Sequence, residues 1–306
     1  MPHGAHHVTL SGGNAGMSGA VNIPASVAAR IRNWAKSNGR TYQHALARYA
    51  TERFCARIAA SEYSGRLVLK GGNLFIVWFS GKDYRPTLDT DFLCRGPSMD
   101  ANAIEDAFVT ICNAALPDDD GIRFDARSIA VDSIREDTEY GGERVTLLAY
   151  IGTIRIPMQF DVGFGDAVTP SPETVSFPAM LDFPAPSILA YPMATALSEK
   201  CAIMIEKGFA NSRMKDFYDV WTMLGRFEVD GSLLRKALAV TFERRGTKVE
   251  TIPPICFGEE FAHDPSKAMQ WKAYLRKNAI TDECPIDFAE VIAFIAPRIV
   301  PLLPCL

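Results

Sequence analysis

Long apolar runs are missing from this sequence, and none reaches the roughly 18 residues that a membrane-spanning helix requires. The opening MPHGAHHVTLSGGNAG also lacks the charged segment and the apolar core of a secretory signal peptide. Basic residues are not in excess, because 32 lysines and arginines against 36 acidic residues give a net charge of −4. Composition therefore indicates no membrane partner, and binding of RNA would require a local basic patch.

Cysteine pairs are missing as well. The seven cysteines are scattered singly, without a CxxC pair, at Cys55, Cys94, Cys112, Cys201, Cys256, Cys284 and Cys305. This spacing argues against a disulfide framework and against a zinc site, and it favours a reducing cytoplasm. Walker A and kinase glycine-rich motifs are absent, and His44 and His263 have no Ser or Cys partner at a recognisable motif, which disfavours a hydrolytic triad.

The residues that are present fit a soluble globular protein of one large domain or two modest ones, with 48% hydrophobic and 22% charged residues in 306. Residues 1–21 are predicted to be a disordered leader. Its histidines are either part of a flexible tail or a scavenger of metal ions: His3, His6 and His7.

Periodicity predicts helices first, then a mixed middle, then an all-helical end. Ser26 is the predicted N-cap of the first helix and Thr41 of the second. Strands are predicted at 66–70, 88–93, 122–131, 144–151 and 153–162, and later helices at 73–79, 101–115, 190–207, 213–226, 232–244, 267–277 and 287–299, with a loop at 246–263. Because the helices are segregated, the predicted fold class is α+β rather than doubly wound α/β.

A proline-rich stretch at 178–186 interrupts the pattern and predicts a boundary. The predicted divisions are a leader (1–21), N-terminal helices (22–62), an α/β core (63–185) and a C-terminal helical domain (186–306). In the second helix, Arg48, Arg53 and Arg57 recur around the polar side. They indicate either a solvated face or a surface for an RNA backbone.

The stretch 70–96 contains candidate metal-binding and phosphate-binding residues: KGGNLFIVWFSGKDYRPTLDTDFLCRG. Side chains alternate along a strand, so Asp89 and Asp91 project from the same face. Two adjacent carboxylates repel each other unless a cation lies between them, and oxygen ligands of this kind suit Mg²⁺. Upstream, Gly71 and Gly72 form a turn that opens a helix, where backbone N–H groups can bind phosphate.

A third carboxylate, Asp161, lies in the apolar strand RIPMQFDVGFGD, where an unpaired acid would be costly. With Asp89 and Asp91 it could form a two-metal site for phosphoryl transfer from a nucleoside triphosphate. A simple turn at the glycines and a pair of solvated acids at the strand end are the alternatives.

The order of these motifs resembles that of the DNA-polymerase-β-like nucleotidyltransferases. The finer resemblance is to the AbiEii/AbiGii toxin family, which includes the MenT-like toxins. It is carried by LKGG at 69–72, RPTLDTDF at 85–92, SEK at 198–200 and RMKDFYD at 213–219, and it spans residues 22–226. Sixteen residues separate Gly72 from Asp89, a gap that favours the toxin family over the general polymerase pattern.

The resemblance implies Mg²⁺ ligands at Asp89 and Asp91 and, less firmly, at Asp161. It implies a triphosphate-binding turn at Gly71 and Gly72. Asp89 and Asp91 would then be catalytic.

Other residues have two interpretations each. Thr87 either donates to phosphate or caps the turn after Pro86. Arg85 either contacts phosphate or RNA, or pairs with a carboxylate. Lys200 is the family's helical lysine for the nucleotide phosphates, or an exposed lysine beside Glu199.

Asp216 is the late catalytic acid of the family, or an acid that favours the helix dipole. Asp219 is interpreted as structural. Basic residues of the C-terminal helices are either RNA contacts or solvated charges: Arg244, Arg245, Lys248, Lys272, Arg276 and Lys277.

By resemblance, the chain has a nucleotidyltransferase-like mixed sheet with a C-terminal helical bundle. It is expected to be a cytoplasmic, Mg²⁺-dependent toxin that transfers NMP from an NTP to a 3′-hydroxyl, such as the acceptor end of tRNA, with release of pyrophosphate. A cognate antitoxin would restrain it. The alternatives are transfer to a small hydroxyl compound or a protein side chain, and an inactive nucleotide-binding scaffold.

Overall fold

The computed structural model describes residues 22–82, 84, 85, 87, 89–134, 141–280 and 284–304. The predicted leader, with its three histidines, lies outside the described residues. So do Pro86 and Leu88 of the acidic motif, and Cys305.

The centre of the fold is a mixed sheet, which has seven strands in the described part of the chain. The strands are β1 (Leu67–Lys70), β2 (Thr90–Cys94), β3 (Arg123–Ile134), β4 (Gly142–Ile151), β5 (Ile154–Phe164), β6 (Glu173–Ser176) and β7 (Ser187–Ala190). Their order across the sheet is β3-β4-β5-β2-β1-β7-β6. The pairs β2–β5 and β1–β7 are parallel, and the other neighbours are antiparallel.

Helices lie before, between and after these strands. They are α1 (Ile23–Ser37), α2 (Tyr42–Ala59), α3 (Leu74–Trp78), α4 (Ala101–Cys112), α5 (Met193–Lys207), α6 (Met214–Arg226), α7 (Gly231–Arg245), α8 (Glu259–Ala262), α9 (Pro265–Lys277) and α10 (Phe288–Ile299). All helices from α5 onward follow the last strand, so the predicted α+β class is confirmed. Among the described helices, none combines the length and the hydropathy of a membrane-spanning segment.

The first two helices begin at side-chain caps. Thr41 accepts a hydrogen bond from the backbone N–H of His44 at 3.2 Å, which confirms the predicted cap of α2. The prediction of Ser26 as the cap of α1 is wrong, because the side chain of Asn22 accepts from the Ala25 N–H at 3.1 Å. Pro24 then lies in the first turn, where a missing N–H costs no hydrogen bond.

Strands β6 and β7 were not predicted. The sequence of β7, SILA, is too short to show a period, and the helical pattern of the next segment predicts a helix that starts at residue 190. In the structure β7 lies parallel to β1, with Leu69 beside Ala190. The four predicted divisions of the chain stay a prediction.

The arginines of α2 are buried, so both interpretations of them as a surface are wrong. Arg53 and Arg57 bind the carboxylate of Asp120, with Arg53 Nε at 2.8 Å and Arg57 Nη1 at 2.7 Å from Oδ2. Arg48 packs over the ring of Trp34 at 4.8 Å. Burial alone would raise the pKa of Asp120, but the two guanidinium groups lower it. The charged side of α2 therefore fastens the helix to the loop before β3.

Glu52 of α2 is also fully buried, and its carboxyl accepts a hydrogen bond from the Met180 N–H at 2.7 Å. Burial raises the pKa of Glu52 from 4.5 to about 7. Between these values the folded chain binds more protons than the unfolded chain, so stability falls as the pH rises. We expect the unfolding free energy of wild type to fall between pH 5 and pH 8. That of Glu52→Gln should fall by about 2 kcal/mol less, as measured by urea denaturation.

Glu62→Gln, at an exposed position, is the matched control and should follow the wild-type pH profile. A Glu52→Gln profile with the same slope as wild type would contradict the expectation.

Candidate active site

One cleft of about 1110 Å³ lies over the sheet between β1, β2, β5 and helices α5, α6 and α9. The structure brings every predicted site residue to its wall: Gly71, Gly72, Arg85, Thr87, Asp89, Asp91, Asp161, Lys200 and Asp216. These residues come from five separate stretches of the sequence, and none of these nine residues lies elsewhere.

Two acids of the cleft, Asp91 and Asp161, belong to a line of charged residues across four strands. Lys70 of β1 is the register partner of Asp91 in β2, Asp91 is the partner of Asp161 in β5, and Asp161 is the partner of Arg144 in β4. We call Arg144, Asp161, Asp91 and Lys70 the charged row. All four line the cleft, so two adjacent carboxylates are flanked by one cation on each side.

The Gly-Gly turn is packed directly against this row. Residues Gly71–Asn73 form one 3₁₀ turn before α3, and Gly71 has a φ of +69°. A Cβ on Gly71 would lie 1.9 Å from the Asp91 carboxylate. The side chain of Asn73 donates to the Asp89 carbonyl at 3.1 Å and to Thr90 Oγ1 at 3.2 Å, which fixes the turn to the start of β2.

Asp91 lies half-buried at the wall of the cleft. Within the described residues no group donates a hydrogen bond to its carboxylate. Burial raises the pKa of Asp91, the Lys70 ammonium opposes this, and the neighbouring Asp161 adds to it. Asp89 is exposed on the cleft wall. A half-buried carboxylate without a donor at the wall of a cleft is free to accept a ligand.

Asp161 is instead paired. Both of its oxygens accept hydrogen bonds at 2.8 Å from Arg144 Nε and Nη2. Among the residues that the structure describes, no three His, Cys, Asp or Glu side chains are grouped to hold a metal ion. Asp161 therefore lies beside Asp91 as predicted, but its carboxylate faces a guanidinium group.

Lys200 and Arg85 are held by two further acids, Asp216 and Asp219. We call these four residues the ion-pair network. Lys200 Nζ lies 3.0 Å from Asp216 Oδ1 and 2.7 Å from Asp219 Oδ2. Arg85 binds Asp219 through two hydrogen bonds of 2.7 and 2.8 Å. It also donates to Thr87 Oγ1 at 3.0 Å. Arg85 thus pairs with a carboxylate, and Lys200 is half-buried rather than exposed.

Asp216 and Asp219 are both buried, and Arg213 adds a third cation at 2.8 Å from Asp216. Burial alone would raise the pKa of Asp219, but Arg85 and Lys200 lower it, so Asp219 stays charged. This carboxylate is the centre of the ion-pair network, because it binds both cations.

Sequence reasoning missed a further cluster beside the turn. Lys70 forms a short ion pair with Asp166 and lies 3.7 Å from Glu199. Tyr191 Oη lies 3.0 Å from Asp166 and 3.1 Å from Glu199. Burial raises the pKa of Glu199 to about 7, so its carboxyl can hold a proton beside the ionised Asp166. The position of Lys70 directly before Gly-Gly could have identified it as a site residue, whereas no neighbouring sequence feature identifies Arg144.

Known proteins resemble this chain in family sequence pattern and in fold. The family model of the nucleotidyl transferase AbiEii toxins of type IV toxin–antitoxin systems matches residues 53–293. The fold is similar to that of MenT4, a nucleotidyltransferase toxin from Mycobacterium tuberculosis H37Rv, with 19% identity, a TM-score of 0.56, and 91% of this chain and 89% of that chain covered.

A candidate nucleotidyltransferase from H. pylori has a similar fold, with 13% identity, a TM-score of 0.50, and 84% of this chain and 93% of that chain covered. No curated protein sequence matches the chain significantly. At these identities the two structural likenesses show a shared fold.

Proposed function

This chain belongs to the AbiEii family of nucleotidyltransferase toxins, and from that membership we propose that it transfers NMP from an NTP to an RNA 3′-hydroxyl with Mg²⁺ and releases pyrophosphate. The acceptor end of tRNA is the first substrate to test. The observation that carries the proposal is the assembly of four distant motifs around one cleft.

We propose Asp89 and Asp91 as the residues that hold Mg²⁺, with Asp161 beside them. The fit rests on their oxygen-only donor set and on the Asp91 carboxylate, which has no donor among the described residues. A bound Mg²⁺ would stabilise negative charge on the phosphates and lower the pKa of an attacking hydroxyl. Asp91 and the turn at Gly71 are in contact, so the acids and the phosphate-binding backbone would meet the same ligand.

The remaining site residues position the nucleotide. A lysine ammonium has three donors, and the two contacts of Lys200 with Asp216 and Asp219 leave one for a phosphate oxygen. The Thr87 hydroxyl accepts from Arg85, so its own proton is available to the cleft. Gly71 and Gly72 would let the backbone approach the triphosphate. Asp216 and Arg85 hold Lys200 and Thr87 in place.

RNA would enter along basic residues at the rim of the cleft. Arg213, Lys215 and Lys277 are exposed and line it, with Arg213 also bound to Asp216 at 2.8 Å, and exposed cations suit a phosphate backbone. Arg245 also lines the cleft but is bound to Glu206 at 2.9 Å. Membership of a toxin–antitoxin family implies a cognate antitoxin, which we propose as the physiological partner.

The test compares wild type with Asp89→Ala. In vitro, labelled NTPs are incubated with total RNA and, separately, with total protein. We expect label in RNA for wild type and at least about a hundredfold less for the variant, because the metal contributes several kcal/mol to the barrier. In bacteria, wild type should arrest growth and extend tRNA 3′ ends, and the variant should do neither.

Two other outcomes would redirect the proposal. Label in protein and none in RNA would assign the enzyme to protein modification. A folded wild-type protein that releases no pyrophosphate from any NTP in the presence of Mg²⁺ would assign the chain to nucleotide-binding scaffolds.

A further inference from the structure

The charged row contains one contact that the proposed reaction does not use. Arg144 and Asp161 face each other across the antiparallel pair β4–β5 and share two parallel hydrogen bonds of 2.8 Å. A guanidinium group binds a carboxylate in this forked geometry more strongly than a neutral donor does. The contact takes up both oxygens of the acid next to Asp91.

Of the cations that pair with the acids of the cleft floor and the ion-pair network, Arg144 is the most exposed. Its side chain is 42% exposed, about the same as that of Arg213 at 41%, against 21% for Lys70, 14% for Lys200 and 10% for Arg85. Lys70 and Lys200 are each within ion-pair distance of two acids, and Arg85 binds the fully buried Asp219. Arg144 pairs with one acid and is half exposed, so it can leave that partner for solvent with little loss of packing.

Movement of Arg144 away from Asp161 would free a carboxylate directly beside Asp91. Asp91 and Asp161 are direct register partners in the parallel pair β2–β5, and both line the cleft. An ion at Asp91 would lie beside Asp161, whose oxygens are the next available hard donors in the row. The guanidinium group and the ion carry charge of the same sign, so the presence of one at the Asp161 oxygens weakens the binding of the other.

We propose that the Arg144 guanidinium group occupies the position of a divalent cation at the Asp161 carboxylate and that the two cations compete for this carboxylate. Arg144 is then a positioning residue that sets the metal affinity of the cleft. In the absence of metal it neutralises one of two adjacent acids, and entry of the ion releases it toward the solvent. This inference rests on the proposed function, because it concerns the same metal acids.

The test measures binding of Mn²⁺ to the full chain without nucleotide, by the loss of the free-ion EPR signal. We expect Arg144→Gln to bind Mn²⁺ about tenfold more tightly than wild type, a difference that corresponds to about 1.4 kcal/mol. In the background of Asp161→Asn the same arginine substitution should have little effect, because its partner in the competition is gone.

Two controls separate competition from long-range repulsion. Lys215→Gln removes one positive charge from the cleft wall near Asp91 without touching Asp161, and it should tighten Mn²⁺ binding much less than Arg144→Gln. Arg155→Gln removes an exposed arginine from β5 outside the cleft and should bind as wild type does.

Unchanged or weaker binding by Arg144→Gln overturns the proposal, and so does an equal gain in Lys215→Gln. If neither wild type nor Arg144→Gln binds Mn²⁺, the proposal also fails. Nucleotide transfer by wild type, assayed in parallel, tests the proposed function separately. Transfer together with unaltered Mn²⁺ affinity in Arg144→Gln would leave the function standing and remove only the role of Arg144.

Discussion

Replacing Gly71 by alanine is expected to lower nucleotide transfer by about a hundredfold or more, because a displacement of about 1 Å at a catalytic group has effects of that size. The added Cβ would lie 1.9 Å from Asp91 Oδ2, so the carboxylate or the turn must move. Transfer from a labelled NTP measures the loss. Mn²⁺ affinity, measured on the same variant, should fall with it, since the displaced group is a proposed metal ligand.

Gly39→Ala is the matched control for backbone strain. Gly39 has a φ of +61°, close to the +69° of Gly71, but no atom lies within 4 Å of the position of its Cβ. Both variants should lose stability from the left-handed backbone, by about 1–2 kcal/mol. Only Gly71→Ala should lose transfer beyond that. Near-normal transfer in folded Gly71→Ala would show that Asp91 can move without consequence, which would remove it from the site.

Asp219→Ala is expected to destabilise the fold by about 3–5 kcal/mol, the cost of leaving buried charges without their partner. Its carboxylate binds both Arg85 and Lys200, and it is completely buried. Urea denaturation measures the stability. Transfer should fall as well, and most strongly in the KM for the NTP, because Lys200 is the proposed phosphate contact.

The ion pair between Arg30 and Asp182 is the control for this experiment. It has a similar length, 2.7 Å, but the Asp182 side chain is 95% exposed. Asp182→Ala should therefore leave stability and transfer unchanged. If Asp219→Ala unfolds at the same urea concentration as wild type, the ion-pair network does not stabilise the fold in the way described.

The parts of the site that follow from local sequence could be predicted. Alternation along β2 places Phe92 in the core, where it is 1% exposed, and Asp91 at the cleft. Asp89 also lines the cleft, but it lies in a bend before β2 and not in the strand as predicted. The Gly-Gly turn and the short helix after it also depend only on neighbouring residues.

The parts that depend on distant pairing could not. Arg144 faces Asp161 only because of the register between β4 and β5, and the sequence of either strand alone does not determine that register. The arginines of α2 were assigned to a surface because helical periodicity does not show that Asp120, more than sixty residues later, packs against them. Likewise, Arg85 and Asp219 meet across 134 residues of sequence.

The position of β1 in the sheet has a consequence for how the protein is made. β1 pairs with β2 on one side and with β7 on the other, and β7 is synthesised more than a hundred residues later. Lys200, Asp216 and Tyr274 of the cleft wall follow later still. Translation proceeds from the N-terminus, so the acids emerge long before the residues that close around them. A ribosome that is still making this chain carries no finished catalytic cleft.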